Sequence, residues 1–395
     1  MKRVIIISFI IFFLAGCGNS GNYGNTDNNV YREPVKDNPP RQLKTLTISF
    51  VGDLMVHEEQ LKSAYKPGGQ AYDFSGTFDQ VADFLKVADF TVGNLETTIS
   101  GSDQKYTSYP QFNTPGSFLD ELKKAGFDVL TTANNHSMDR RKIGVLRTIK
   151  ALNDRGFKHT GTFATAEDRE TPLIMEHEGI RVALLAYTYG TNGIYVPENE
   201  RYLVNLLDLN RVTRDVENAR RANADVIIAA VHFGNEYERQ PNRWQRIYTQ
   251  KILDAGVDVI IGSHPHVLQP FAWVEPNDVI RPKRFVAYSL GNFISGQRGR
   301  FKDSGVILNL KISKDEKGAV IEKVSYVPTW VHRYWNKRKI TYRVVAVEKA
   351  IRDYKSGRDK TLTAIDFRRL QQVWNDTTGL LTGSSGPVEI QRVRH

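Results

Sequence analysis

The chain has one cysteine in 395 residues. No intramolecular disulfide can form, and no CxxC pair exists for metal or redox chemistry. There is no Walker A segment, no GxGxxG and no GxSxG, which argues against a nucleotide-driven synthetase and against a serine hydrolase of the elbow type. His57-Glu58-Glu59-Gln60-Leu61 lacks the second histidine of HExxH, so a zincin is excluded on that motif. No internal repeat of 20–50 residues is visible. Hydrophobic residues at 40%, aromatics at 10% and charged residues at 25% exclude a wholly disordered chain, a collagen and a polytopic membrane protein. Lysine and arginine exceed aspartate and glutamate by 54 to 44, a net +10. That balance suits an acidic polymer or an anionic lipid surface and does not single out nucleic acid, which is not expected as a partner.

The single cysteine, Cys17, is informative by position. Lys2 and Arg3 are followed by an apolar run, Val4 to Leu14, broken only by Ser8, then by Leu14-Ala15-Gly16-Cys17. The run is too short to span a bilayer, which takes about 20 residues, and has the layout of a secretory signal. Leu-Ala-Gly-Cys resembles the bacterial lipoprotein lipobox. The resemblance implies removal of residues 1–16, lipid on Cys17, and a chain anchored at the extracytoplasmic face of the membrane. Residues 17–44, rich in Gly, Asn and Pro, are expected to be a flexible tether holding the folded part on the order of 30 Å from the membrane.

From Leu46, short apolar runs alternate with helical periodicity. Strands are expected at Leu46–Val51, Phe90–Val92, Val129–Thr132, Leu173–Glu178, Ile180–Tyr187, Asp225–Val231, Val257–Ile261 and Phe285–Tyr288. Helices are expected at Phe78–Lys86, Ser117–Ala125, Ile143–Asn153, Leu209–Ala222 and Trp244–Ala255. This alternation argues for an α/β sandwich with a mixed central sheet over residues 45–302. Residues 303–395 change character, with antiparallel strands at Val306–Leu310 and Ala319–Val327 and helices at Val344–Tyr354 and Thr363–Val373. They read as a C-terminal α+β extension packing on the main domain.

Five strand ends finish in residues able to bind a metal: Asp53, Glu96, Asn135 with His136, His232, and His264 with His266. In open α/β sheets, sites form outside the carboxyl ends of strands. Histidine with carboxylate suits Zn, Mn or Fe. A two-metal hydrolytic site needs one bridging carboxylate and a few terminal ligands. Glu96 or Asp53 can bridge, with Asn135, His232 and His264 or His266 as terminal ligands. His136 can face the substrate as a general acid.

Six motifs then occur in order: Gly52-Asp53, Gly93-Asn94-Leu95-Glu96, Ala133-Asn134-Asn135-His136, His232-Phe233-Gly234-Asn235-Glu236-Tyr237, Gly262-Ser263-His264-Pro265-His266-Val267 and Ser289-Leu290-Gly291-Asn292-Phe293. This set resembles the CapA family of bacterial capsule proteins, linked to poly-γ-glutamate biosynthesis, which is similar in fold to the calcineurin-like metallophosphoesterases. The resemblance implies that Asn135-His136 stands for the phosphoesterase GNH motif, with Asn135 and His136 catalytic. His264-Pro265-His266 stands for GHxH, His232 for its isolated histidine, and Glu96 for the bridging aspartate of GDxxD. Asp53 holds the first-strand position, but the usual Asp-x-His is absent, because residue 55 is Met. His57, two residues further on, is either a substitute ligand or a surface residue, and the surface is the expected place. One or two divalent ions are therefore expected.

Weaker signals surround this set. Arg140-Arg141-Lys142 follows the Asn-His loop, and Arg298, Arg300 and Lys302 follow the Asn292 motif. Both clusters can line a rim for a polycarboxylate, although a solvated face is the commoner outcome. Arg140, Arg141, Glu236 and Asn292 are the candidate substrate contacts. Trp330, Tyr334 and Trp335 near His332 are expected to form a small core. Two functions stand apart. One is a metal-dependent hydrolase acting on an amide or phosphoester of an anionic polymer or its precursor. The other is a non-catalytic accessory that binds the polymer or membrane-bound synthase subunits. A phosphatase of unrelated substrate is a blander third.

Overall fold

A computed structural model describes residues 43–391 apart from 70, 276–281, 337–338 and 384–385; the expectations for residues 1–16, for Cys17 and for the tether up to residue 42 lie outside the described residues. Regular structure begins at Lys44.

Two mixed sheets face each other. The order in one is Lys339–Ala346, Gly318–Asn336, Ser304–Asp315, Lys44–Leu54, Phe90–Leu95, Val129–Thr131, Lys158–Thr160. The other runs Phe271–Val274, Arg284–Ala287, Val259–Ser263, Val226–His232, Ile180–Thr188, Leu173–His177. Strand alternation sorts the side chains between layers. Leu46, Ile48 and Phe50 of the first strand meet Ile180, Val182, Leu184, Val226 and Ile228 in the core between the sheets. The alternate residues Ala183, Leu185 and Tyr187, with Ile227, Ala229 and Val231, turn outward onto Val212, Val216, Ile252 and Leu253 of the helices Leu209–Arg221 and Arg243–Asp254. The outer face of the first sheet is covered through Phe118, Leu119 and Leu122 of the helix Ser117–Ala125. The result is an α/β sandwich, as the sequence pattern predicts.

The strands after residue 303 continue the main sheet. Ser304–Asp315 pairs antiparallel along the first strand, from Lys44 opposite Lys314 to Val51 opposite Ile307. The first strand therefore lies inside the sheet, with Phe90–Leu95 parallel on its other side. Gly318–Asn336 is far longer than the strand the sequence suggests. Val344 to Ala346, read from sequence as the start of a helix, form strand instead and pair with Val331, Trp330 and Thr329; the helix covers Val347–Lys355. The β-branched pair Val344-Val345 favours the pleated partner, and helical periodicity takes over only beyond it. The helix expected at Phe78–Lys86 shortens to Ala82–Leu85, because Val81 lies outside helical backbone angles.

Two glycines allow strand ends to crowd together. A Cβ on Gly52 would lie 1.8 Å from the carbonyl oxygen of Gly291, and one on Gly262 would lie 1.9 Å from that of Tyr288. Among the described residues no helix is long and apolar enough to cross a membrane.

Candidate metal centre

Beside Gly52 the register of the first strand shifts against both parallel neighbours, a bulge that re-aims Asp53 at the sheet rim. Asn94 and Glu96 lie two apart on the adjoining segment. The Asn94 amide Nδ2 donates to Asp53 Oδ1 at 2.8 Å and approaches Glu96 Oε2 at 3.5 Å and His232 Nδ1 at 3.3 Å. Asn134 holds Asn94 in turn, donating to its Oδ1 at 3.3 Å and to the Leu95 carbonyl at 2.8 Å.

The histidines come from the facing sheet. His232 ends Val226–His232, with Ser263 Oγ 3.0 Å from its Nδ1 and Asn135 Oδ1 3.0 Å from its Nε2. His264 and His266 follow Val259–Ser263 with φ of 99° and 56°, left-handed values that non-glycine residues adopt only under constraint. His266 Nδ1 lies 2.9 Å from Asp53 Oδ2 and its Nε2 lies 3.6 Å from Glu96 Oε1. His232 Nε2 is also 3.6 Å from Glu96 Oε1. Ligand atoms of Glu96, His232 and His264 lie within 4.8 Å of one another, and so do those of Asp53, Glu96 and His266. Five segments far apart in sequence thus bring Asp53, Glu96, Asn135, His232, His264 and His266 to one place.

The electrostatics are unbalanced. Asp53, Glu96 and His232 are fully buried. Burial drives the Glu96 carboxyl well above its ordinary range, and the Asp53 carboxylate adds to the rise. Burial also holds His232 well below its ordinary value, reinforced by His264. It pushes His264 down to about 3, with His266 next in effect. The His232 and His264 rings, held in the neutral form, add no positive charge beside Asp53 and Glu96, and among the described residues neither acidic group pairs with a lysine or arginine. Glu96 Oε1 and His264 Nδ1 are buried without a hydrogen-bond partner. Oxygen and imidazole donors with unsatisfied atoms within 4.8 Å of one another fit a divalent cation.

His136 stands beside this set. Its Nδ1 lies 2.7 Å from Asp139 Oδ2, which also accepts from the Phe112 amide at 2.5 Å. Its ring packs edge-on against Phe112 at 4.7 Å. Asp139 fixes the ring proton on Nδ1 and leaves Nε2 for a substrate. No motif of the sequence marks Asp139; its signal there is a carboxylate three residues after the histidine. Tyr189, which no motif marks either, places its ring 4.7 Å from that of His264.

His57 is not a surface residue. It is half-buried, its ring meets Phe112 at 5.2 Å, and its Nδ1 accepts from the Gly296 amide at 3.1 Å. Burial, then His266 and His136, lower its pKa to about 4. The sequence could not place it because Phe112 and Gly296 are remote in the chain. Met55 is buried, at 2% exposure.

The candidate substrate contacts divide. All five N–H donors of Arg140 are engaged within the chain, on the carbonyls of Gln104, Lys105, Gln111 and Asp139 and on Thr107 Oγ1. Arg140 clamps the loop that carries Phe112 and has no donor left over for a substrate, which corrects the sequence expectation. Arg141 is exposed and opens the helix Arg141–Asn153 with φ of 51°. Asn292, fully buried, donates to Gln297 Oε1 at 3.0 Å and to the Lys302 carbonyl at 2.7 Å. Glu236 is exposed, and its carboxylate lies within 4.8 Å of ligand atoms of His264 and His266. In the basic cluster, Arg300 pairs with Asp376 at 2.7 Å, while the Lys302 ammonium sits 4.8 Å over the Tyr237 ring. Trp330 is buried in a small core with Val345 and Leu370, as expected, but Trp335 is 73% exposed.

Fold and site together define an α/β protein with a histidine–carboxylate centre at the rim of two facing sheets. The model of the family described as bacterial capsule synthesis protein PGA_cap matches residues 47–297, which takes in the whole cluster. This chain belongs to that family. It is 32% identical over 284 residues to the capsule biosynthesis protein CapA of Bacillus anthracis, covering 69% of this chain and 65% of the relative. Against the PGA biosynthesis protein CapA of Bacillus subtilis it is 26% identical, covering 66% and 67%. The chain thus spans about two thirds of these relatives. Among solved structures, the NAD nucleotidase of Haemophilus influenzae aligns with a TM-score of 0.43 at 12% identity, over 85% of this chain and 60% of that one. A 5'-nucleotidase-like protein of Staphylococcus aureus gives 0.42 at 16%, over 84% and 58%.

Proposed function

We propose that the chain acts in the synthesis or export of a poly-γ-glutamate capsule, through a hydrolase-type site that holds a divalent metal. The observation that carries this reading is the buried Asp53–Glu96 pair, ringed by His232, His264 and His266 and lacking any lysine or arginine ion pair among the described residues, in a chain of a capsule synthesis family. A divalent ion held there supplies Lewis acidity toward a carbonyl or phosphoryl oxygen. Asn94 and Asn134 keep the carboxylates apart and aimed. Asp139 holds the His136 ring so that Nε2 can carry a proton to or from a leaving group. Tyr189 and Tyr237, both partly exposed, stand beside the cluster, with ring centroids 4.7 Å from His264 and 6.3 Å from His266. The substrate is an anionic polymer or its precursor, and a basic net charge, +8 once Lys2 and Arg3 leave with residues 1–16, favours its approach. Membrane-bound synthase subunits are the partners on this reading, and lipid on Cys17 holds the chain at the extracytoplasmic face.

Buried Met55, in place of the phosphoesterase histidine, favours a second reading: an accessory that grips polymer or synthase without catalysis. Elemental analysis and hydrolysis assays on γ-glutamyl and phosphoester substrates separate the two. The hydrolase reading expects bound metal, and activity lost at least a hundredfold in His264→Ala with an unchanged circular dichroism spectrum. Full activity in metal-stripped protein would overturn it. Polymer binding that survives the histidine substitutions, without turnover, would establish the accessory instead.

A further inference from the structure

Resemblance to the phosphoesterases leaves one ligand unfilled on the first strand, where Met55 stands, and His57 does not fill it. The His57 Nδ1 is occupied by the Gly296 amide, and His57 joins none of the compact ligand groups among the described residues. A carboxylate arrives instead from the facing sheet. After Val226–His232 the chain is sewn to the His-Pro-His loop at two points: the Phe233 amide donates to the Ser263 carbonyl at 3.0 Å, and the Tyr237 amide to the Pro265 carbonyl at 2.7 Å. Gly234, at φ 113°, makes the turn with the Gln245 side chain 2.6 Å from where a Cβ would be. These constraints set Glu236 over His264 and His266, with ligand atoms of all three within 4.8 Å of one another. His264, only 4% exposed, offers an Nδ1 with no other partner. Glu96 closes the same histidines from the buried side.

We infer that Glu236 is a metal ligand of this chain, an outer carboxylate that closes the centre from the solvent side and takes the place of the missing first-strand histidine. The inference rests on the metal reading above and deepens it by naming its ligand. It also changes what Glu236 is for: the residue holds the cation, and substrate contact falls to the groups around it. Exposure makes Glu236 the ligand that solvent and an incoming anion reach first, so this is the bond that exchanges most readily. Glu236 is also the ligand whose loss should disturb the metal-free fold least.

The test is equilibrium dialysis of Mn2+ and of Zn2+ against the purified, metal-stripped chain, with bound metal counted by mass spectrometry. Wild type, Glu236→Gln and His57→Ala are compared. The expected result is at least tenfold weaker binding of the weakest-held ion in Glu236→Gln, of the size seen when a metal site loses a supporting group. Metal-free melting temperature should be unchanged, and His57→Ala should bind as wild type does. Unchanged affinity in Glu236→Gln overturns the inference and leaves the metal reading intact. Loss of an ion in His57→Ala alone, with Glu236→Gln normal, assigns the position to His57 and also overturns it. Wild type that binds neither ion removes the metal reading itself, and this inference with it. Should Glu236→Gln melt lower without metal, Glu236→Asp, which keeps the charge, decides: recovered affinity supports the ligand, and unrecovered affinity counts against it.

Discussion

His264 and His332 are about equally buried, at 4% and 0% exposure, yet they differ in where positive charge comes from. Around His332 the protein supplies its own. The Arg343 Nε donates to His332 Nδ1 at 3.1 Å, and its Nη2 donates to Asp359 at 2.6 Å and to Thr361 at 2.6 Å. The imidazole is stacked between Trp330 and Tyr334, at 5.0 and 4.9 Å. Around His264 lie Asp53, Glu96 and Glu236, and among the described residues no lysine or arginine pairs with Asp53 or Glu96. A buried histidine is therefore a poor sign of a site by itself. A buried carboxylate without a resident cation is a better one.

The largest test of this contrast is Arg343→Met. Arg343 is buried but Asp359 only half-buried and still held by Thr361, so a loss of about 2 kcal/mol is expected in urea unfolding, the same with metal or chelator present. If that loss shrinks when metal is added, the two clusters are coupled and the contrast fails. Next comes Glu96→Gln, whose effect should change sign. The raised Glu96 pKa means that folding takes up protons there, so its ionised form costs stability above the ordinary carboxyl range. Without metal at pH 7, Glu96→Gln should therefore unfold no earlier than wild type, and its stability should fall less as pH rises. With saturating Mn2+ it should melt below wild type, because a ligand is gone. The smallest effect is that of pH. Burial first, then Arg343, hold His332 at about 4, below its ordinary 6.5. The unfolded chain binds the extra proton between those values, so this share of stability is present above pH 6.5 and is lost as pH falls toward 4. Melting scans in chelator from pH 7 to 5 should show a shallower decline for His332→Phe than for wild type.

Much of the cluster was legible because each of its residues follows the end of an apolar run, a pattern plain in the sequence. Asp53, Glu96, Asn135, His232, His264 and His266 all follow this rule. What escaped depends on loops closing on one another. The sequence offers Glu236 only as a substrate contact, and its nearness to His264 and His266 depends on the Tyr237–Pro265 backbone bond; His57 owes its place to Phe112 and Gly296. No local pattern encodes those meetings. Arg140 misled for the opposite reason: its charge suggested a ligand contact, while its geometry suits a fan of carbonyls. In the fold, Val344-Val345 fits either periodicity in isolation, and the partner strand decides between them.

Gly52 and Gly262 carry a last consequence. Each lies next to the ends of strands that present Asp53 or His264, and neither has room for even a methyl group. Alanine at either position would wedge two strands apart and unseat several donors at once without altering any of them. Inheritable damage to this protein should therefore gather at positions with no side chain to inspect, where a survey weighted toward reactive residues would never look.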